Sequence, residues 1–307
     1  MAYHKYESQV KLLLSILPIV NNYPQLALKG GTAINMFVQP DMPRLSVDID
    51  LVYLNIESRE STLKNVNKLI DDIASTMKNS GMDIRLSKNN EISKIFIRNR
   101  TTEVKLEINS VTRGVLYECI ELPVCKSAFD TFQYDYTTKI VSLKDLYAGK
   151  ICAALSRKHP RDLFDVKLMF ERNIMQFDTE FMNAIAIYIS CSNKSFYDLL
   201  SEKLPLDSDF NEIFINKFEG MTNLSVTSSE LIDTYKLLLQ KIHSSFTPDQ
   251  KGFILSMADG IPNWKLIGVP VVSELPGISW KLKNIEFYKN SNPIKHRDDM
   301  GKLTNLM

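Results

Sequence analysis

Val10, Leu13, Leu14 and Leu17 recur at helical spacing, which predicts an amphipathic helix over 5–20. Leu26-Ala27-Leu28 is a short apolar run that ends in Lys29-Gly30-Gly31-Thr32, and Ala33 to Val38 reads as helix. A loop over Pro40 to Pro43 precedes Val47 to Leu54, whose β-branched and apolar residues predict a buried strand. Leu63, Val66, Leu69, Ile70, Ile73 and Met77 then mark a helix over 61–78, stopped by Asn79-Ser80-Gly81. The period next changes to two. Ile92, Ile95 and Ile97 suit a strand. Val104, Leu106 and Ile108 alternate strictly with Glu103, Lys105, Glu107 and Asn109, with a hairpin turn over 98–102 between the two runs. From Ser142, a residue suited to cap a helix, the chain is mainly helical: one helix from Leu143 to about Arg157, another from Pro160, and helical periodicity over 181–245. Residues 260–280 are irregular. The pattern is therefore α+β, with strands and helices over 1–141 and a mainly helical lobe over 142–307.

Composition narrows the class. The 307 residues carry 37 Lys+Arg against 36 Asp+Glu, so a uniformly basic nucleic-acid coat is excluded while a local basic face is not. The four cysteines have no CxxC spacing and the four histidines no HExxH pattern, which disfavours a disulfide framework and a zinc site and suits a reducing cytoplasm. The apolar run Leu12 to Val20 is broken by Ser15 and Pro18, too short to span a bilayer, and lacks the flanks of a signal peptide. A soluble, cytoplasmic protein with no membrane contact is expected.

Three pieces carry candidate chemistry. Asp48 and Asp50 stand two apart on an apolar strand, so their carboxylates share a face and repel. A divalent cation would resolve that conflict, and Mg²⁺ takes hard oxygen ligands that it shares with phosphates; a strand end with two solvated acids is the alternative. Gly30-Gly31-Thr32 before a helix lets backbone N–H groups approach an anion, although a lone Gly-Gly-Thr is more often an ordinary tight turn. It is neither a P-loop nor a GxGxxG fingerprint. Glu107 shares a strand face with Lys105 and Asn109, and reads either as a third acid or as half of a solvated Lys–Glu pair.

Together, KGGTAI, RLSVDIDLVYL and EVKLEIN resemble the active-site pattern of the polymerase-β-like nucleotidyltransferase superfamily. The segment LKDLYAGKICAALSRKHPRDLFDVKLMF, residues 143–170, is similar to the signature of one branch, the AbiEii/AbiGii toxin family that includes the MenT-type toxins. The resemblance runs over about 25–170. It implies a nucleotidyltransferase with a mixed sheet flanked by helices and an NTP-binding cleft. It also implies Mg²⁺ (or Mn²⁺) on Asp48, Asp50 and Glu107, phosphates on Gly30, Gly31 and Thr32, and a phosphate or base contact for Arg44. Lys150 falls within a mostly apolar helical stripe, so it must find an anion, which a triphosphate would supply; a lysine snorkelling at the stripe's rim is the alternative. Asp162 matches the Asp of the family's Arg-Asp motif, and Asp165 stands one turn on. His159-Pro160-Arg161-Asp162 is not a kinase loop, because the accompanying motifs are absent.

The resemblance further implies a toxin of a toxin–antitoxin or phage-defence pair that adds NMP to the 3′ end of tRNA and blocks translation, with an AbiEi-type antitoxin as partner. A nucleotidyltransferase acting on a protein or small-molecule hydroxyl, and a non-catalytic nucleotide-binding module, are the competing readings. Two basic stretches, Arg85, Lys88, Lys94, Arg98, Arg100 and Lys105, and the lysines and arginines of 144–172, read as solvated faces or as RNA contacts, with Arg98 and Arg100 the first choice. Lys281, Lys283, Lys289, Lys295, Arg297 and Lys302 add a third.

Overall fold

The strictly alternating run becomes an inner strand of a seven-stranded mixed sheet in the computed structural model, which describes residues 4–88, 92–109, 112–203 and 207–307. The side chains of His4 and Lys88 lie outside the described residues. By backbone contacts the chain divides into two compact units, 1–142 with 218–225, and 143–217 with 226–307. The return of 218–225 to the first unit departs from the simple division near residue 142 that the helical pattern suggested.

The first unit contains α1 (His4–Val20), β1 (Leu26–Lys29), α2 (Gly30–Ala33, continued by a π-turn Ile34–Val38), β2 (Asp48–Tyr53) and α3 (Arg59–Asn79). It continues through β3 (Asp83–Lys88), β4 (Ile92–Arg98), β5 (Glu103–Asn109), β6 (Ile120–Pro123), α4 (Lys126–Phe132) and β7 (Thr137–Ile140). The strand order is β3-β4-β5-β2-β1-β7-β6. β1 and β2 run antiparallel, while β2 pairs β5, and β1 pairs β7, in parallel. Alternation divides the sheet's two faces. Ile95, Ile97, Val104, Leu106, Ile108, Ile49 and Leu51 are almost wholly buried, and α1 packs on β5 and α3 on β3 and β4. Burying such side chains stabilises the unit by roughly 1.5–3 kcal/mol each. The other face keeps the polar residues.

Ser58 starts α3 by accepting from the Ser61 amide, and Gly81, at φ +81°, ends it. β3, β6 and β7 escape the hydrophobic pattern. They are only four to six residues long; β3 pairs with β4, which follows it in the chain, whereas β7 lies between β1 and β6 and pairs with both. The returning segment 218–225 is tied to the loop before β2: the Leu45 amide donates to the Met221 carbonyl (2.8 Å) and the Thr222 hydroxyl to the Pro43 carbonyl (2.7 Å).

The second unit is helical: α5 (Leu143–Arg157), α6 (Pro160–Glu171), α7 (Thr179–Ser190), α8 (Phe196–Leu200), α9 (Asp207–Lys217), α10 (Ser228–Ser245), α11 (Pro248–Ala258), α12 (Pro276–Ser291) and α13 (Pro293–Leu306). Short 3₁₀ turns over Trp264–Leu266 and Pro270–Glu274 occupy the irregular stretch. α7 is buried on most sides, from Phe181 to Ser190, and packs on α5, α11 and α12. Thr227 with Glu230, and Thr247 with Gln250, form capping boxes that start α10 and α11.

Candidate active site

β1 ends at Lys29 and the chain turns at Gly30, whose φ of +72° lies in the left-handed region. A Cβ at Gly30 would stand 2.5 Å from Asp50 Oδ2. Glycine is thus required twice here, by backbone angle and by space. A Cβ at Gly31 would stand 2.6 Å from Arg44 Nη2 and 3.0 Å from Ser46 Oγ. Arg44 is only 2% exposed; it packs against this turn and donates from Nη1 to the Leu45 carbonyl (3.1 Å), so it is not a surface residue. Thr32 is fully buried. Its hydroxyl donates to the Asp48 carbonyl (2.6 Å) and lies 3.0 Å from Ser46 Oγ, fastening the glycine turn to the start of β2. Asn35 Nδ2 closes the turn on the Gly31 carbonyl (2.9 Å).

Strand register assembles the charged face. Lys29 pairs with Asp50, Asp50 with Glu107, and Glu107 with Lys94, so four adjacent strands present Lys-Asp-Glu-Lys in one row. The next row on the same face is Asp48, Lys105, Phe96 and Arg85. Lys105 Nζ lies 3.2 Å from Glu107 Oε2 and 3.7 Å from Asp48 Oδ1, and Lys94 Nζ lies 3.6 Å from Glu107 Oε2. Arg85 stacks over the Phe96 ring at 4.0 Å.

The electrostatics follow from this interleaving. Burial, then the adjacent Asp48 carboxylate, push the Asp50 carboxyl above its ordinary value, while Lys29 and Lys105 pull it part of the way back. Burial lowers the Lys29 ammonium, and Asp50 and Glu107 oppose that. For Lys105, burial works downward but is outweighed by Asp48 and Glu107, so its affinity for the proton rises.

Asp48, Asp50 and Glu107, named from spacing and resemblance, thus share one face. Lys29 is a neighbour to which the sequence assigned no role, and Lys94, read there as part of a solvated or RNA-binding basic stretch, stands instead beside Glu107. For Lys29 the available signal was its place directly before the glycine pair. Asp48 and Asp50 are hard oxygen donors beside a space that only glycine leaves open, a set that fits Mg²⁺ or Mn²⁺. Among the described residues no three His, Cys, Asp or Glu side chains form a metal-holding group on their own. A cation here would take its remaining ligands from phosphate and water, as Mg²⁺ commonly does.

The second unit holds its own charged cluster. Lys150, 7% exposed, lies 2.9 Å from Asp162 Oδ1 and 2.8 Å from Asp165 Oδ2, and Arg157 Nη2 lies 2.8 Å from Asp162 Oδ2. The lysine read from the apolar stripe of α5 is therefore met by two carboxylates of α6. Burial would raise the Asp162 carboxyl, but Lys150 and Arg157 outweigh it and hold it below the ordinary value. His159 caps α6 by accepting from the Arg161 amide (3.2 Å), and burial, with Arg161, pushes its imidazole down to about 4.

A model of the family described as "Nucleotidyl transferase AbiEii toxin, Type IV TA system" matches residues 11–241. The chain belongs to this family. It is an AbiEii nucleotidyltransferase toxin of the type IV toxin–antitoxin class, and such a toxin has an antitoxin partner. Among solved structures, MenT4, a nucleotidyltransferase toxin from Mycobacterium tuberculosis H37Rv, superposes with a TM-score of 0.62 over 93% of this chain and 94% of that one, at 11% identity. That likeness establishes the shared α+β fold. No curated protein sequence matches the chain. Among the described residues no helix is long and apolar enough to cross a membrane.

Proposed function

We propose that this AbiEii toxin transfers NMP from an NTP to the 3′ end of tRNA and so blocks translation. The observation that carries the reading is the first unit's charged face. Two carboxylates share a face of apolar β2, beside a glycine turn whose missing side chain makes room for that of Asp50. Mg²⁺ or Mn²⁺ held by Asp48 and Asp50 would supply the charge that activates an acceptor hydroxyl and stabilises the departing pyrophosphate. Gly30 and Gly31 present backbone N–H groups at the start of a helical turn, where a phosphate is favoured. Thr32 and Arg44 hold that turn against β2. Glu107 is kept in place by Lys94 and Lys105, and completes the acidic set.

Lys29, Lys94 and Lys105 offset the charge of Asp48, Asp50 and Glu107 and so ease the repulsion between the carboxylates before substrate arrives. The polynucleotide acceptor is supported by the outer part of the same face. Phe96 with Arg85 stacked on it suits an unpaired base, and exposed Arg98 shares that face. The family signature brings in Lys150 and Asp162, which neutralise each other within the second unit. The partner is an AbiEi-type antitoxin.

The test combines purified protein, Mg²⁺, total bacterial tRNA and each α-labelled NTP in turn. Label on tRNA is expected, and Asp48→Asn should remove it while leaving the thermal unfolding midpoint in place. Full transfer by Asp48→Asn would overturn the assignment. Label on protein or a small molecule, with none on tRNA, would overturn the tRNA acceptor alone.

A further inference from the structure

The second unit carries a groove that the proposed chemistry does not use. A cavity of about 540 Å³ is lined by α8, α12 and α13, and a second of about 300 Å³ adjoins it, sharing Asp198 and Lys203. The larger one is the size of a small-ligand site. Its floor is Lys281, 6% exposed, whose Nζ donates to the Ser192 carbonyl (2.9 Å) and the Lys194 carbonyl and lies 4.8 Å from the centre of the Phe196 ring. Burial pushes this ammonium down to about 8, so it is still mostly charged at neutral pH. One wall is Tyr288, which donates to Asp299 Oδ2 (2.8 Å) and meets buried His296 edge-on. Tyr197 also lines the cavity.

Charge around the groove is unbalanced. Lys158, Lys194, Lys203, Lys295 and Lys302 face it with two carboxylates, Asp198 and Asp299. Lys203 is paired with Asp198, and Lys302 lies 3.5 Å from Asp299, whereas Lys194 and Lys295 have no carboxylate partner among the described residues. Lys158 adopts a left-handed backbone (φ +50°), 5.5 Å from the Tyr235 ring centre. Burial, and the charges of Lys203 and Lys194, weaken its hold on the proton, with Asp198 opposing. Crowded cations relieve their repulsion by taking an anion, and aromatic walls beside them suit a planar base. These lysines come from 158–203 and 295–302, stretches that look like separate solvated faces along the sequence.

We propose that this groove is a nucleoside-phosphate site built wholly from second-unit residues, with phosphate on the lysines and the base against Tyr197 and Tyr288. The ligand's source is either a free nucleotide or a nucleotide within single-stranded RNA. The inference stands without the transfer reaction, because it is tested by binding.

The experiment uses the full chain carrying Asp48→Asn, with a fluorescein-labelled RNA octamer and a fluorescent ATP analogue as probes. Anisotropy titrations at 50 and 200 mM salt compare it with a triple variant, Lys158→Gln, Lys194→Gln and Lys295→Gln. If RNA is the source, octamer affinity falls at least tenfold at 50 mM, and the slope of log K against log salt shrinks by about two, near 0.7 per lost phosphate contact. If a free nucleotide is the source, only the ATP analogue is weakened. The corresponding triple Lys→Arg variant should keep binding. Unchanged affinity for both probes in a triple variant with the parental unfolding midpoint overturns the proposal. Should the Gln variant fail to fold, crosslinking of 4-thiouridine RNA and 8-azido-ATP to the Asp48→Asn chain decides: adducts at Tyr197 or Tyr288 support the site, and adducts only elsewhere overturn it.

Discussion

Gly30→Ala tests whether the glycine turn exists to leave Asp50 room. Two penalties apply, and the structure separates them. The first is conformational. At φ +72° a side chain costs about 1–2 kcal/mol. The second is steric. The new Cβ would stand 2.5 Å from Asp50 Oδ2, and relief to even the tight limit of 3.0 Å requires a shift of about 0.5 Å. The carboxylate must take up that shift, since Asp50 is fixed in the middle of the sheet between β1 and β5. A misplacement on the order of 1 Å at a reacting centre can cost about 10²-fold in rate, so a loss of roughly 10-fold to 10²-fold is expected. Gly81→Ala is the matched control. Its φ is +81°, but nothing lies within 4 Å of the position a Cβ would take. It should lose about 1–2 kcal/mol and no transfer activity. Urea denaturation measures the first quantity for both variants, and initial rates of label transfer to tRNA measure the second. Equal transfer rates in Gly30→Ala and Gly81→Ala, within twofold, would refute the argument that this glycine serves the carboxylate.

Three further outcomes follow from the same geometry. Lys150→Met removes the buried cation that Asp162 and Asp165 share, leaves Asp162 its Arg157 partner, and should cost about 3–5 kcal/mol in urea denaturation; adding Asp165→Asn should recover part of it, and no recovery would deny the coupling. Thr32→Val removes the buried hydroxyl that donates to the part-buried Asp48 carbonyl and should cost about 1–3 kcal/mol, while Thr32→Ser stays close to the parent; equal losses would show that the methyl group matters instead. His159 titrates near 4 when folded against 6.5 unfolded, so the unfolded chain binds the extra proton between those values. Stability should therefore fall as pH drops from about 6.5 to about 4, and His159→Asn, which keeps a capping acceptor, should flatten the pH–stability curve across that window.

Much of the fold was legible because its periods are clean. β5 alternates without a break, and α3 repeats its apolar stripe for about four turns, so face and type both follow from position. β3, β6 and β7 were not legible, since four to six residues are too few to set a period apart from chance alternation. The segment 218–225 gave no sign that it folds with the first unit, because its link to the loop before β2 is two hydrogen bonds and local burial.

The candidate site divides in the same way. Sequence alone determined that Asp48 and Asp50 share a face, because a strand has a period of two, and that Gly30 and Gly31 precede a helical turn. Only tertiary structure decided which cations stand beside the acids. Lys29 stands opposite Asp50, and Lys94 lies beside Glu107, through strand register, which is set by pairing between strands. Arg44 enters the sequence reading through the family resemblance, whereas its packing against the turn depends on the absence of a side chain at Gly31. Lys150 announced a need for an anion through its place on an apolar stripe; which carboxylates answer it depended on how α5 and α6 pack. Local periodicity fixes which face a residue occupies, whereas its neighbours on that face come from chain segments far away, and those are brought together only when the core closes.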